Sequence, residues 1–123
     1  MARVLIVDDV EIVRKALQVG VKKMGHIADG TSDPREALEI ARANPPDLAL
    51  VDYRMPGMDG VDFFIALRKL LGDRCPKVLF VSATPAEEVR RRLAPEGPQP
   101  VGFVKKPFHL DDLWREVNHA LAA

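Results

Sequence analysis

The chain has 123 residues, 47% of them hydrophobic and 29% charged, which suits one compact globular domain and leaves little room for a second. Eighteen Lys and Arg balance 18 Asp and Glu, so no net charge draws the chain to nucleic acid or to an anionic membrane. The single cysteine, Cys75, excludes an intrachain disulfide and a Cys-based zinc site and fits a reducing cytoplasm, and no apolar stretch approaches the ~18 residues of a membrane span.

The start, "MARVLIVDD", has one Arg and a short apolar run that stops at two aspartates. It reads as a strand at Val4–Val7, not as a signal peptide. Ile12 to Met24 carries apolar residues at 13, 17, 20/21 and 24, the spacing of one helix face. A weaker strand is expected at His26–Ala28. Asp33-Pro34-Arg35-Glu36 opens the next helix with an N-cap Asp, Pro at the first helical position and Glu to close a capping box. Leu48–Val51 is a strand that ends in Asp52 and a Pro/Gly turn. Asp59 caps a helix whose apolar face includes Phe63, Phe64, Leu67 and Leu70/Leu71. Val78–Val81 is the next strand, and Thr84-Pro85-Ala86-Glu87 repeats the capping signal. That fourth helix is short, from Pro85 to Leu93, because Pro95 stops it. A stiff loop, "APEGPQP", leads to a weaker strand at Val101–Val104. Leu110, Leu113, Val117 and Leu121 mark a final amphipathic helix. The central apolar runs do not alternate with polar residues, as in strands buried on both faces. Strand and helix alternate five times, which implies an α/β fold: a parallel sheet with helices on both faces and right-handed crossovers.

The chemistry gathers at the strand ends. Ligands of an open parallel sheet bind beyond the carboxyl ends of its strands. Asp8 and Asp9 end the first strand and Asp52 the third. If those strands are neighbours, three carboxylates crowd one spot and call for a cation. A hard, oxygen-ligated ion such as Mg²⁺ suits them. A nucleotide-phosphate site would need Gly, Ser or Thr there, and the chain has neither GxGxxG nor GxxxxGK[ST]. Ser82 ends the fourth strand and Lys106 the fifth. A hydroxyl, an ammonium, a metal and a carboxylate can together surround a phosphoryl group, with Asp52 as nucleophile.

"LIVDD", "LVDYRMPGMDG", "FVSA" and "FVKKPF", in that order, make the chain resemble the receiver domain of bacterial two-component response regulators, of the single-domain chemotaxis-regulator type. The resemblance covers essentially the whole chain. It implies a doubly wound, flavodoxin-like sheet of order 2-1-3-4-5, one receiver domain over residues 1–123 and no output domain. It places the phosphoryl acceptor on Asp52 and the acidic pair on Asp8 and Asp9. Asp9, Asp52 and the carbonyl of Arg54 would bind Mg²⁺. Ser82 and Phe103 would be the switch pair, and Lys106 the lysine, aimed by a cis bond to Pro107. Arg54 and Thr84, two residues beyond Asp52 and Ser82, would tune a phospho-form lasting minutes or longer. The resemblance also implies a histidine kinase or phosphotransfer protein as donor. A downstream protein partner would read the fourth helix, fifth strand and fifth helix, with a phosphorylation-linked dimer as another outcome. Nucleic acid and membrane are not expected partners, and the expected location is the cytoplasm. The domain would catalyse only its own phosphorylation and slow hydrolysis.

The stretch between Ser82 and Lys106 is longer and richer in proline than the family pattern. "PQPVGF" replaces the usual Gly-Ala before the fifth strand, and His109 stands where a Ser or Thr cap is common. Arg90-Arg91-Arg92 reads as a solvated helix face, with a docking patch for an acidic partner as the alternative. Two other functions set themselves against the leading one. A phosphorylation-independent interaction module would be free to lose these acids, Ser82 and Lys106. An aspartyl-nucleophile phosphohydrolase would carry D-x-D after the first strand, and "VDDVE" does not.

Overall fold

The structure, a computed structural model, describes residues 1–122. Its elements run β1 (Arg3–Val7), α1 (Glu11–Lys23), β2 (Ile27–Thr31), α2 (Pro34–Ala43), β3 (Leu48–Val51), α3 (Gly60–Leu71), a 3₁₀ turn (Gly72–Arg74), β4 (Lys77–Ser82), α4 (Ala86–Arg92), β5 (Gly102–Lys105) and α5 (Leu110–Ala122). All strand pairs are parallel, in the order β2-β1-β3-β4-β5.

Successive side chains of a strand point to opposite faces, so each unbroken apolar run feeds two cores. Leu5, Val7, Ala49, Val51, Val78 and Phe80 pack on one side with residues of α2, α3 and α4. Val4, Ile6, Leu48, Leu50, Leu79 and Val81 pack on the other with residues of α1 and α5. Val4 to Val7 are all essentially inaccessible to solvent, as the non-alternating pattern requires.

Local side-chain caps set two of the helix starts. The Asp33 side chain accepts the Arg35 N–H with Pro34 at the first position of α2, and the Asp59 side chain accepts the Asp62 N–H at the start of α3. Three expectations need correction. The second strand begins at Ile27 and runs on through Asp29, Gly30 and Thr31, because pairing with β1 (Val7 opposite Thr31) overrides the poor strand propensity of Asp and Gly. Thr84 does not cap the fourth helix. Pro85 takes the cap position with no side-chain hydrogen bond, and α4 is only seven residues, Ala86–Arg92. The fifth strand is shifted by one residue, to Gly102–Lys105.

Candidate functional site

Register brings the acids together. β1 and β3 are neighbours with Val7 opposite Val51, so Asp8 and Asp52 leave the sheet side by side. The Asp52 N–H donates to the Val7 carbonyl at 3.0 Å, which fixes the two strand ends to each other. On the other flank, Ser82 ends β4 opposite Lys105, and the Lys106 N–H donates to the Ser82 carbonyl at 2.9 Å. Four chain segments far apart in sequence therefore meet at one edge of the sheet.

Asp8 is 1% exposed and Asp52 7%, whereas Asp9 lies open to solvent. Two buried carboxylates need partners, and both have them. Lys106 Nζ sits 2.6 Å from Asp8 Oδ2 and 3.1 Å from Asp52 Oδ2. The remaining oxygens face the backbone: Val10 N–H donates to Asp8 Oδ1 at 2.9 Å, and Tyr53 N–H to Asp52 Oδ1 at 2.7 Å. Arg14 donates to the Asp8 carbonyl at 3.0 Å and adds a second cation on that side. Burial pushes the Asp8 carboxyl above its ordinary value, and the hydrogen bond from Lys106 only partly offsets it. One carboxylate oxygen from each of Asp8, Asp9 and Asp52 lies within 4.8 Å of the other two.

Ser82 is buried, and its Oγ accepts the Thr84 N–H at 3.2 Å. Phe103 on β5 stacks on Phe80 (centroids 5.8 Å apart, planes at 20°), and the Arg90 guanidinium lies over its ring, 4.5 Å from the centroid. Ser82, Thr84, Val89 and Phe103 line a cavity of about 220 Å³ between β4, α4 and β5. The Arg54 side chain crosses from the loop after β3 to α4, where it pairs with Glu88 at 3.0 Å. The Lys106–Pro107 peptide bond is cis.

Sequence reasoning missed three contributors. Gly60 is the last residue of "MPGMDG". A Cβ there would lie 2.4 Å from the Asp52 carbonyl oxygen, and its N–H donates to the Tyr53 carbonyl at 2.7 Å. The glycine closing that turn was the available signal. Glu88 gave none, since its partner is 34 residues away. The arginines of α4 are not one uniform solvated face. Arg91 pairs within its own helix with Glu87, Arg90 covers Phe103, and Arg92 reaches Asp59 at 3.2 Å and Asp62 at 2.8 Å.

The model of the response regulator receiver domain family matches residues 4–118. The virulence transcriptional regulatory protein PhoP of Salmonella choleraesuis (strain SC-B67) is 32% identical over 113 residues, 92% of this chain and 49% of that protein. The chain thus spans about half the length of such relatives. Chemotaxis protein CheY4 of Vibrio cholerae, crystallised at low pH, superposes with a TM-score of 0.88 at 26% identity, covering 98% of this chain and 99% of that one. The receiver domain of a sensor histidine kinase from Pseudomonas aeruginosa PAO1 was solved with a magnesium ion coordinated in its active site cleft. It shares the fold with a TM-score of 0.85 at 19% identity, covering 99% of this chain and 98% of that one.

Proposed function

The chain belongs to the response regulator receiver domain family, whose members are signalling phosphoacceptors, and on that premise we propose that Asp52 is its phosphoryl acceptor. The observation that carries this reading is the Lys106 ammonium bridging Asp8 and Asp52. A cation stands ready beside the one buried carboxylate that ends the middle strand.

In the proposed reaction, an Asp52 oxygen attacks the phosphorus of a phosphohistidine on a histidine kinase or phosphotransfer protein. The P–N bond breaks as the new P–O bond forms. The leaving imidazole keeps the electron pair and takes up a proton. Lys106 holds negative charge on the transferring oxygens, and the Ser82 hydroxyl donates to one of them. Slow hydrolysis reverses the modification: water attacks phosphorus, the bond to Asp52 breaks, and inorganic phosphate leaves. Arg54 and Thr84, two residues beyond Asp52 and Ser82, would set its rate.

The donor set fits Mg²⁺, since every group is a hard oxygen and three carboxylates share one small space. Asp9, Asp52 and the Arg54 carbonyl would hold the ion, with Asp8 completing the acidic cluster. When bound, the ion neutralises the acids and the incoming phosphoryl oxygens.

The signal would leave through Ser82. Turning its hydroxyl to the phosphoryl group takes Oγ from the Thr84 amide. Phe103 then moves into the cavity it shares with Ser82 and Val89, and the surface of α4, β5 and α5 changes for a downstream protein partner. The test is phosphorylation by acetyl phosphate with Mg²⁺, read by intact mass. The wild type should gain one base-labile, hydroxylamine-cleavable phosphoryl group and Asp52→Asn none. Equal labelling of that variant would refute the assignment.

A further inference from the structure

α4 is anchored to the core by a single buried side chain and tied to its neighbours by exposed ion pairs. Val89 is its one buried residue. Four residues apart, and hence on one side of the helix, Glu88 and Arg92 point towards the segment that follows β3. Glu88 takes the Arg54 guanidinium at 3.0 Å, and Arg92 takes Asp59, the cap of α3, and Asp62 in its first turn. The Arg54 side chain is 73% exposed and that of Glu88 44%, so water is present and the pair can exchange partners.

Arg54 stands two residues from Asp52, and its long side chain can swing towards the acceptor. It also lines, with Asp9, the open groove beside the acidic cluster. With Asp52 free, two of the cluster's acids already share Lys106, and Glu88 offers Arg54 an unshared carboxylate. A phosphoryl group changes that comparison. It adds up to two negative charges and three strong acceptor oxygens, which a guanidinium binds in preference to a single carboxylate.

We propose that Glu88 is a positioning residue that competes with the phosphoryl group for Arg54. Phosphoryl transfer to Asp52 moves Arg54 from Glu88 to the phosphoryl oxygens. That move shields phosphorus from water and releases one of the two ionic ties of α4 to the β3–α3 side. Phospho-form lifetime and α4 mobility are then two readings of one exchange. The inference rests on Asp52 as acceptor, and it adds a residue on α4 that no phosphoryl chemistry requires.

The experiment compares wild type, Glu88→Gln, Glu88→Lys, Arg54→Ala and the Arg54→Ala/Glu88→Gln double variant. Each is phosphorylated with acetyl phosphate and Mg²⁺, desalted, and followed by intact mass. Removing an exposed ionic competitor should lengthen the half-life about two- to five-fold in Glu88→Gln, and further in Glu88→Lys. In the Arg54→Ala background Glu88→Gln should change nothing, an outcome that a purely structural role of Glu88 does not produce. A second readout does not involve turnover. Amide hydrogen exchange across Ala86–Arg92 should be faster in unphosphorylated Glu88→Gln than in unphosphorylated wild type. The two should coincide once both carry beryllofluoride and Mg²⁺. Unchanged half-lives in variants that label normally, or the same change with and without Arg54, would overturn the role of Glu88. Failure of every chain to label would instead remove Asp52 as acceptor, and the inference with it.

Discussion

Gly60→Ala tests whether the acceptor is positioned by the turn behind it. The added Cβ would lie 2.4 Å from the Asp52 carbonyl oxygen, 2.9 Å from the Phe80 ring and 3.0 Å from Tyr53 Cα, where ordinary contact begins at 3.4 Å. Two of these neighbours are backbone, and Phe80 is 1% exposed and wedged between Phe64 and Phe103. None can turn aside as the tip of a flexible chain would. Something must therefore move by about an ångström, and overpacking of that kind costs about 1–3 kcal/mol. The backbone contacts argue for the upper end. Alanine regains part of the ~1 kcal/mol that glycine loses within a helix, but only part, because Gly60 opens α3. The net expectation is about 2 kcal/mol, or roughly 8 °C in melting temperature for a domain of this size. The displaced atoms belong to Asp52 and Tyr53, the residue whose N–H orients Asp52 Oδ1. A misplacement of ~1 Å at a reacting group can lower a rate about 10²-fold, so labelling by acetyl phosphate should slow far more than the loss of folded protein explains. Thermal unfolding by circular dichroism and labelling rates at a temperature well below the transition measure the two effects. Gly97→Ala is the control, since its Cβ would meet nothing closer than 3.4 Å. A Gly60→Ala protein that melts like Gly97→Ala and labels at the wild-type rate would show that the Asp52 backbone is not held against α3.

Lys106→Met should destabilise the metal-free domain by about 3 kcal/mol, because removing one partner of a buried ion pair strands the other charge, here both Asp8 and Asp52. Mg²⁺ should restore part of that loss, and a variant that melts no lower than wild type without Mg²⁺ would contradict the pairing. The Asp8 carboxyl is raised above 3.8 in the fold by burial, so the folded state binds its proton more readily than the unfolded chain does. Its contribution to metal-free stability therefore falls as pH rises from about 3.8 through the raised folded value, and Asp8→Asn should flatten that part of a urea-unfolding pH profile. Arg92→Ala should lower stability by no more than about 1 kcal/mol, yet speed amide exchange in Ala86–Arg92 more than in α2, because its two carboxylate partners lie on the neighbouring element.

Much of the fold and the centre of the site were legible in the sequence, and the reasons are local. Three strands announce themselves as short apolar runs, while the second and fifth are weaker signals. Asp33 and Asp59 cap their helices through bonds only two and three residues long. The acids and Lys106 are legible because a charge that closes a buried strand has few physical explanations. Reading failed where the decisive interaction is non-local. Asp29 and Gly30 belong to β2 only because β1 offers them a partner. Thr84 looks like a cap within its own tetrapeptide, but the helix starts one residue later, with Pro85 at the cap position.

The arginines of α4 show the same limit more sharply. Sequence alone sees three like charges in a row and infers one solvated face. Consecutive helical residues point about 100° apart, so Arg90, Arg91 and Arg92 cannot share an environment once the helix lies between α3 and β5. Val89 faces inward, and this sends Arg92 to the acids of α3, Arg90 over Phe103 on β5, and Arg91 outward to Glu87. A helix with two flanking prolines, one buried side chain and no side-chain cap has little stability of its own. Its position then follows from the charges and the aromatic ring on either side. Exposed pairs of this kind are each worth about 0–1 kcal/mol, the scale on which a new phosphoryl charge nearby can decide between two arrangements. The feature hardest to read from sequence is thus the one best placed to respond to chemistry at Asp52.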